Sequence, residues 1–235
     1  MNLRNKKYLC IIPARAGSQG IKNKNIQELD GIPLIEHTLK FSKKLNRSFD
    51  IVVSTDSKKI LSLGKKYNFI SDKPRPKKLS RNNSLTIDVI KYELKRIEKK
   101  LKKKYDLILL LQPTVPFRKI EHVKICLKKI ETGKYDSAIS IKDVEGNHPL
   151  RMKIQIKGYV KNYSKEKKEN MIPRQKLPKV FLRSGSIYMI KRKSMLKFNS
   201  MVGKKTYGFE QFGKYCINID TKLDLFMARN KNKVI

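Results

Sequence analysis

Short apolar runs alternate with helical patterns from the first dozen residues of this 235-residue chain, and that alternation narrows the fold more than any other feature. Tyr8–Pro13 is a compact apolar run, and Pro33–Leu45 carries Leu34, Ile35 and Leu39 at helical spacing. Ile51–Thr55 is β-branched and reads as a strand, with Asp56-Ser57 as the N-cap of a helix through Leu61 and Leu63. Thr86–Leu101 reads as the next helix, Asp106–Leu111 as a buried strand ending at Gln112-Pro113, Ile120–Ile130 as a helix and Asp136–Ile141 as a strand. Repeated strand–helix units predict an α/β fold: an open, mainly parallel sheet with helices on both faces.

Beyond Lys142 the pattern changes. Met152–Ile156 and Tyr159–Tyr163 flank Lys157-Gly158 and predict a hairpin. A polar, proline-bearing stretch, SKEKKENMIPRQKLPK, precedes Ser186–Ile190, where strand character resumes. Tyr215–Ile219 and Thr221–Arg229 predict one more strand and a terminal helix. Val144–Val180 is therefore an excursion from the main sheet, and residues 1–235 form one domain.

Charge is the unusual component of the composition: 56 Lys+Arg against 20 Asp+Glu, a formal +36. Such a field draws in polyanions. The lysines are spread along the chain, however. In the densest run, Lys95–Tyr105, Ile97 and Leu101 keep helical spacing and form an apolar stripe with Leu94 and Ile90, so the lysines fall on a solvated helix face. With no Trp and no basic strand interleaved with aromatics, a nucleic-acid partner is not expected. The longest strongly apolar stretch, Leu107–Leu111, is too short to insert in a membrane. The first residues hold about six apolar positions before Pro13 and Arg15, short of the roughly 7–15 of a secretory signal. A cytoplasmic location is the expectation. Cys10, Cys126 and Cys216 are too scattered for a disulfide framework or a zinc site, and His37, His122 and His148 are isolated.

Three segments carry candidate chemistry, each expected at the carboxyl end of a strand, where open α/β sheets bind ligands. In PARAGSQGIKNKN, Gly17 and Gly20 free backbone amides to face an anion while Arg15, Lys22 and Lys24 supply charge; the alternative is a glycine-rich turn with incidental lysines. It is neither a Walker A loop nor a GxGxxG fingerprint. In LLLQPTVPFR two prolines fix the backbone that presents Gln112 and Arg118, or simply end a strand. In INIDTKLDL, Asp220 is either a Mg²⁺ ligand or a helix cap, with Thr221 and Asp224 completing a capping box. Together they suit a nucleoside triphosphate with a divalent cation, and displacement of pyrophosphate.

In chain order, Ala14–Asn25, Ser54–Ser57, Arg75-Pro76 with Leu79, Leu111–Arg118, Arg174–Pro178 with Gly185–Tyr188, and Ile219–Leu225 resemble the motifs of the acylneuraminate cytidylyltransferase family. The likeness covers almost the whole chain. It implies a Rossmann-like nucleotidyltransferase fold with a small dimerisation arm at 144–180, CTP and a nonulosonic (sialic-type) acid as substrates, Mg²⁺ as cofactor, and a homodimer. Arg15, Lys24 and Asp220 would be catalytic. Ala14, Arg15, Ser18, Asn25, Arg75, Asn83, Ser84 and Thr86 would hold the nucleotide. Gln112, Arg118, Arg151 and Arg174 would meet the sugar acid, Arg174 across the dimer, and Asp220 with Asn218 would bind the metal. Another sugar, such as 3-deoxy-octulosonate or a sugar phosphate, or a decayed basic binding protein, are the rival readings.

Four residues leave the family pattern. Gln19 stands for a lysine and removes a phosphate charge, and Asn218 stands for an aspartate, a weaker metal ligand. Val115 and Ser184 stand for a serine and an asparagine, and bear on sugar choice.

Overall fold

The computed structural model describes residues 8–18, 20–164 and 171–231, so Gln19 lies outside the described residues, as do 165–170 of the arm. β1 (Tyr8–Pro13) is apolar on both faces, because successive side chains of a strand point to opposite sides. Leu9 and Ile11 enter one core and Cys10 and Ile12 the other, all four without exposure. A strand buried on both sides must be covered on both sides.

The short β2 (Glu28–Leu29) and β3 (Ile32–Pro33) lead into α1 (Leu34–Lys43), followed by β4 (Phe49–Ser54), α2 (Lys58–Lys66), α3 (Thr86–Lys100) and β5 (Leu107–Leu110). Then come α4 (Ile120–Glu131), β6 (Ser137–Asp143), the hairpin β7 (Lys153–Ile156) and β8 (Tyr159–Asn162), β9 (Phe181–Lys191), α5 (Arg192–Phe198), β10 (Thr206–Glu210) and α6 (Lys222–Arg229). The main sheet has the order β10-β6-β9-β5-β1-β4. β1 runs parallel to β4 and β5, and β10 parallel to β6, whereas β9 is antiparallel to both its neighbours. Ile35, Leu39, Ile60, Val123 and Cys126 of α1, α2 and α4 cover one face. Ile90, Leu94 and Ile97 of α3 and Met195 of α5 cover the other. The fold class is the one the alternation predicts.

A third, smaller apolar cluster joins the two ends of the chain. Ile21 of the glycine loop, Leu29 and Leu34 pack with Ile217, Ile219, Leu225 and Ala228, which seats α6 beside the loop after β1. Thr221 caps α6 by accepting from the Asp224 amide, and Asp224 accepts from the Thr221 amide in return, the capping box foreseen from the sequence.

One expectation is corrected, and two elements went unforeseen. Tyr215–Ile219 is not a strand: Gly213–Cys216 form a 3₁₀ turn, and the extended residues after it are held by the Ile219 amide donating to the Thr114 carbonyl at 2.8 Å, outside the sheet. The edge position belongs instead to β10, whose Thr206–Glu210 run is interrupted by Gly208. α5 also escaped the pattern, since its first turn carries no acidic residue and no side-chain cap marks its start.

Beneath the amino end of β5, Glu98 of α3 accepts from Arg192 Nε (2.7 Å) and Nη2 (3.0 Å) and from the Tyr105 amide (3.1 Å), joining α3, α5 and the sheet. Burial alone would raise its carboxyl, but Arg192, the Tyr105 amide and Lys104 outweigh that and hold it below the usual range. A depressed folded value contributes stability that is present above the unfolded value of about 4.3 and is lost as pH falls through the folded one. Glu98→Gln is expected to cost about 2 kcal/mol at pH 7 and to flatten the acid limb of the stability curve. Urea denaturation at pH 7 and pH 3.5 checks both; an equal loss at the two pH values would contradict the linkage.

Candidate active site

β1 ends at Pro13, opposite Ser54 at the end of β4, so the carboxyl ends of the two strands lie side by side. The Ala14 amide continues the ladder to the Ser54 carbonyl (2.9 Å). The Ala16 amide then donates to Asp56 Oδ1 (2.8 Å), and Asn25 Nδ2 donates to the Arg15 carbonyl (2.9 Å), closing the loop on itself. Of the Asp56-Ser57 pair expected to cap α2, Ser57 does so, accepting from the Ile60 amide, which leaves the Asp56 carboxylate to hold the loop.

A cleft of about 440 Å³ opens over these strand ends. Arg15, Lys24, Arg75 and Arg81 line it, with Asp220 as the one carboxylate among the described lining residues. Arg15 Nη1 donates to Asn82 Oδ1 at 2.7 Å, which fixes its guanidinium at the rim. Arg75 is 5% exposed; burial lowers its guanidinium from its ordinary value, Asp56 and Glu93 oppose that, and Arg15 adds to it. Ser84 and Thr86, at the amino end of α3, turn the positive end of that helix toward the same space. Four cations and a helix amino terminus around one carboxylate suit a polyanion.

Of the residues singled out in the sequence, Arg15, Ser18, Lys24, Asn25, Arg75, Ser84, Thr86, Gln112 and Asp220 line this one cleft. Ala14 is buried behind it and Asn83 is exposed outside it, its place being taken by Asn82. Arg81 and Asn82 were missed, although they sit in the same polar stretch as Asn83.

Arg118 is corrected in its orientation. Its side chain is half-buried, and its guanidinium donates to the Gln112 carbonyl (2.6 Å), the Ser186 carbonyl (2.9 Å) and Thr38 Oγ1 (3.1 Å), so it braces the wall of this cleft while its side chain lines a separate pocket with His37 and Phe41. Burial lowers its pKa to about 9. Arg151 and Arg174 lie in the arm, away from the cleft: Arg151 Nη2 donates to the Ile172 carbonyl (2.9 Å), and Arg174 Nη2 lies 3.4 Å from Asp143 Oδ1.

Gln112 is aimed by an irregularity in β9. Between the pairs Ile139↔Tyr188 and Ile141↔Arg183 the register shifts, and Ser140 Oγ takes up the freed Ile187 amide at 2.9 Å. Gly185 has φ +81°, and a Cβ there would stand 2.9 Å from Gln112 Oε1 and 3.3 Å from Val115 Cγ2. Ser184 is buried and donates to Gln211 Oε1 (2.8 Å), so Ser184 and Val115 both act from beneath the cleft wall.

At the opposite wall, Lys24 Nζ meets Asp220 Oδ1 at 2.7 Å and Asn218 Nδ2 donates to Asp220 Oδ2 at 2.5 Å. Asn218 itself faces a second cleft, of about 470 Å³, with Lys142, Gln211 and Phe212, so the two clefts meet at the Asn218–Asp220 segment. Among the described residues no group of three or more His, Cys, Asp or Glu side chains gathers to cage a metal. The Asp220 carboxylate nevertheless fits Mg²⁺, which takes one or two protein oxygens and completes its shell with phosphate and water, and the buried Asn218 Oδ1, unpartnered among the described residues, is a second oxygen one amide turn away. Among the described residues no helix is long and apolar enough to cross a membrane.

The profile of a family described as cytidylyltransferase matches residues 9–234. The chain is 30% identical over 227 residues to an N-acylneuraminate cytidylyltransferase of Streptococcus agalactiae, covering 93% of this chain and 51% of that protein. It thus spans about half the length of that relative. It is 28% identical over 218 residues to a CMP-N,N'-diacetyllegionaminic acid synthase of Campylobacter jejuni, covering 93% of this chain and 92% of that one. In fold it is similar to a CMP:2-keto-3-deoxy-manno-octonic acid synthetase solved with CTP, at 17% identity and a TM-score of 0.65, covering 96% of this chain and 98% of that one.

The loop and the Asp220 segment touch at Gly20, where a Cβ would fall 2.2 Å from the Asp220 carbonyl oxygen. Gly20→Ala is therefore expected to push the loop off the segment and cost about 1–3 kcal/mol, a fall in melting temperature of roughly 2–10 °C. Gly17 has nothing within 4 Å of such a Cβ, so Gly17→Ala is expected to be neutral or slightly stabilising. Thermal unfolding of both variants checks the pair; equal effects would contradict the contact.

Proposed function

The chain belongs to the cytidylyltransferase family, and on that premise we propose that it transfers CMP from CTP to the anomeric hydroxyl of a nonulosonic acid, releasing pyrophosphate. The observation that carries this reading is the cleft itself: Arg15, Lys24, Arg75 and Arg81 surround Asp220 over the carboxyl ends of the strands, next to a second cleft with room for a sugar.

The sugar hydroxyl oxygen bonds to the α-phosphorus and gives up its proton to solvent water, while the bond from that phosphorus to the bridging oxygen of pyrophosphate breaks. Little covalent chemistry is asked of the protein; alignment and charge stabilisation do the work. Arg15 and Lys24 receive the charge that grows on the leaving pyrophosphate. Arg75, buried and already braced by Ser80 Oγ at 3.2 Å, holds the nucleotide without needing to reorganise. Gln112, set by Gly185, offers its amide at the boundary with the sugar. Asp220, with Asn218, would hold Mg²⁺, which when bound neutralises phosphate charge. Lys142 is the one cation among the described residues lining the second cleft, beside the carboxylates of Asp143, Glu145 and Asp224, so the carboxylate of the sugar acid needs a further cation, the role proposed for Arg174 of a second copy.

The arm supports a homodimer. Ile154, Ile156, Tyr159 and Val160 of the β7–β8 ribbon are exposed, Tyr159 by 76%, and such an apolar ribbon is buried against a second copy. Arg174, at the base of the arm, then serves the partner's cleft.

Purified protein with CTP, Mg²⁺ and sialic, legionaminic, pseudaminic or 3-deoxy-octulosonic acid is expected to release pyrophosphate with at least one nonulosonic acid. Silence with all four overturns the reading, and release with the octulosonic acid alone moves it to the rival sugar. Asp220→Ala is expected to lose at least about a hundredfold in turnover at an unchanged melting temperature. Mixing Asp220→Ala with Arg174→Ala protein is expected to restore about a quarter of wild-type activity, the share of intact sites that random re-association of dimers yields. No recovery would place Arg174 in its own subunit's site.

A further inference from the structure

Both oxygens of the Asp220 carboxylate already have donors, Lys24 Nζ on Oδ1 at 2.7 Å and Asn218 Nδ2 on Oδ2 at 2.5 Å. We propose that Lys24 and Asn218 hold the cation site at Asp220 shut in the free protein, so that a divalent cation enters only together with a triphosphate that draws Lys24 away. The proposal rests on the cytidylyltransferase reading of the cleft and assigns Asn218 as a positioning residue within it.

The Asn218 amide carries the clearest sign. At 2.5 Å from a carboxylate oxygen only its NH₂ end is tolerated, which sets the orientation of the group and turns Oδ1 away from Asp220. That oxygen is buried and has no hydrogen-bond partner among the described residues, so the arrangement carries an unrecovered desolvation cost. Turning the amide over would bring an oxygen against the carboxylate, which is repulsive unless a cation lies between them. The amide therefore has two settings: NH₂ toward a bare carboxylate, or oxygen toward a carboxylate that shares a cation.

Lys24 has the same two choices. Its side chain is 12% exposed against 60% for Asp220, so the lysine is anchored in the loop while the carboxylate stands open to the cleft. In that cleft Lys24 faces the same space as Arg15, Arg75 and Arg81, where a triphosphate would compete with Asp220 for it. The backbone does not need to move. The Asp220 and Thr221 amides are both tied to Asp224 Oδ2, at 2.9 and 2.7 Å, and Gly20 rests on the Asp220 carbonyl. Exchange of Lys24 for a cation is thus a side-chain event on a fixed frame. By linkage, nucleotide and cation must raise each other's affinity by one factor.

Mn²⁺ is the probe, with free ion read by electron paramagnetic resonance in the absence of nucleotide and sugar. Lys24→Met is expected to bind Mn²⁺ about fivefold more tightly than wild type, whereas Lys22→Met, which removes a loop charge not placed on Asp220, is expected to leave the affinity unchanged. In ¹⁵N-labelled wild-type protein, the Asn218 side-chain amide, assigned by its loss in Asn218→Ala, is expected to shift when Mg²⁺ and CTP are added together and to stay in place with Mg²⁺ alone. Equal Mn²⁺ affinity in Lys24→Met and wild type overturns the proposal, as does an equal gain in Lys22→Met or an Asn218 shift with Mg²⁺ alone. If CTP does not bind wild type at all, the reading of the cleft fails, while the nucleotide-free Mn²⁺ comparison still decides whether Lys24 closes the site.

Discussion

The half-buried guanidinium of Arg118, held by three acceptors, is the constraint on which the rest of the site depends. β9 enters the sheet antiparallel, between β5 and β6, so the end of β5 and the start of β9 meet at the same edge. Arg118 donates to the Gln112 carbonyl on one side of that junction and to the Ser186 carbonyl on the other, and its third acceptor, Thr38, lies on α1. No carboxylate among the described residues pairs with it; two carbonyl dipoles, a hydroxyl and the Phe41 ring 6.0 Å away take the place of a counter-ion. Burial pulls its pKa down to about 9, yet the group is still charged at neutral pH, and a buried charge without its acceptors costs more than any single apolar contact. The junction is therefore held firmly, and with it the contact between Gln112 and Gly185.

The central sheet was legible because its residues obey two periods at once. Tyr8–Pro13 and Leu107–Leu110 are apolar at every position, as strands buried on both faces must be, and the helices between them carry apolar stripes. What escaped was whatever lacked a period. β10 alternates only weakly around Gly208, and the Tyr215–Ile219 run looks like a strand although no sheet edge was left for it. The cleft residues were legible as a set, since Arg15, Lys24, Arg75, Gln112 and Asp220 lie on segments that follow strands or join the sheet ends. The direction of a side chain was not. Nothing in Leu111–Arg118 distinguishes an arginine that faces substrate from one that turns back onto two carbonyls, and nothing in the Asp56-Ser57 pair says which of the two caps α2 and which holds the loop.

The +36 charge acquires a structure once burial is considered. The lysines of α3 lie on its solvent face, while its buried side carries Val89, Ile90, Leu94 and Ile97. They contribute to a diffuse field that screening weakens over about 10 Å at 0.1 M salt. Lys24 and Arg75 differ in being largely withdrawn from water, so their charge is less screened and directed into one cleft. Long-range attraction and local recognition are thus served by different cations, the first abundant and interchangeable, the second few and fixed.

The substitutions at Val115 and Ser184 follow the same division. Neither side chain reaches the cleft. Val115 is fully buried and abuts the position a Cβ on Gly185 would take, and Ser184 hydrogen-bonds Gln211, which lines the second cleft and whose Nε2 also meets His122 Nδ1 at 2.9 Å. A change at either position moves Gln112 or Gln211 through packing, so its effect on a bound sugar is indirect and depends on how firmly the junction behind it is held. That junction is the one Arg118 closes through the Gln112 and Ser186 carbonyls, so the packing behind Gln112 depends on a charge held by backbone acceptors.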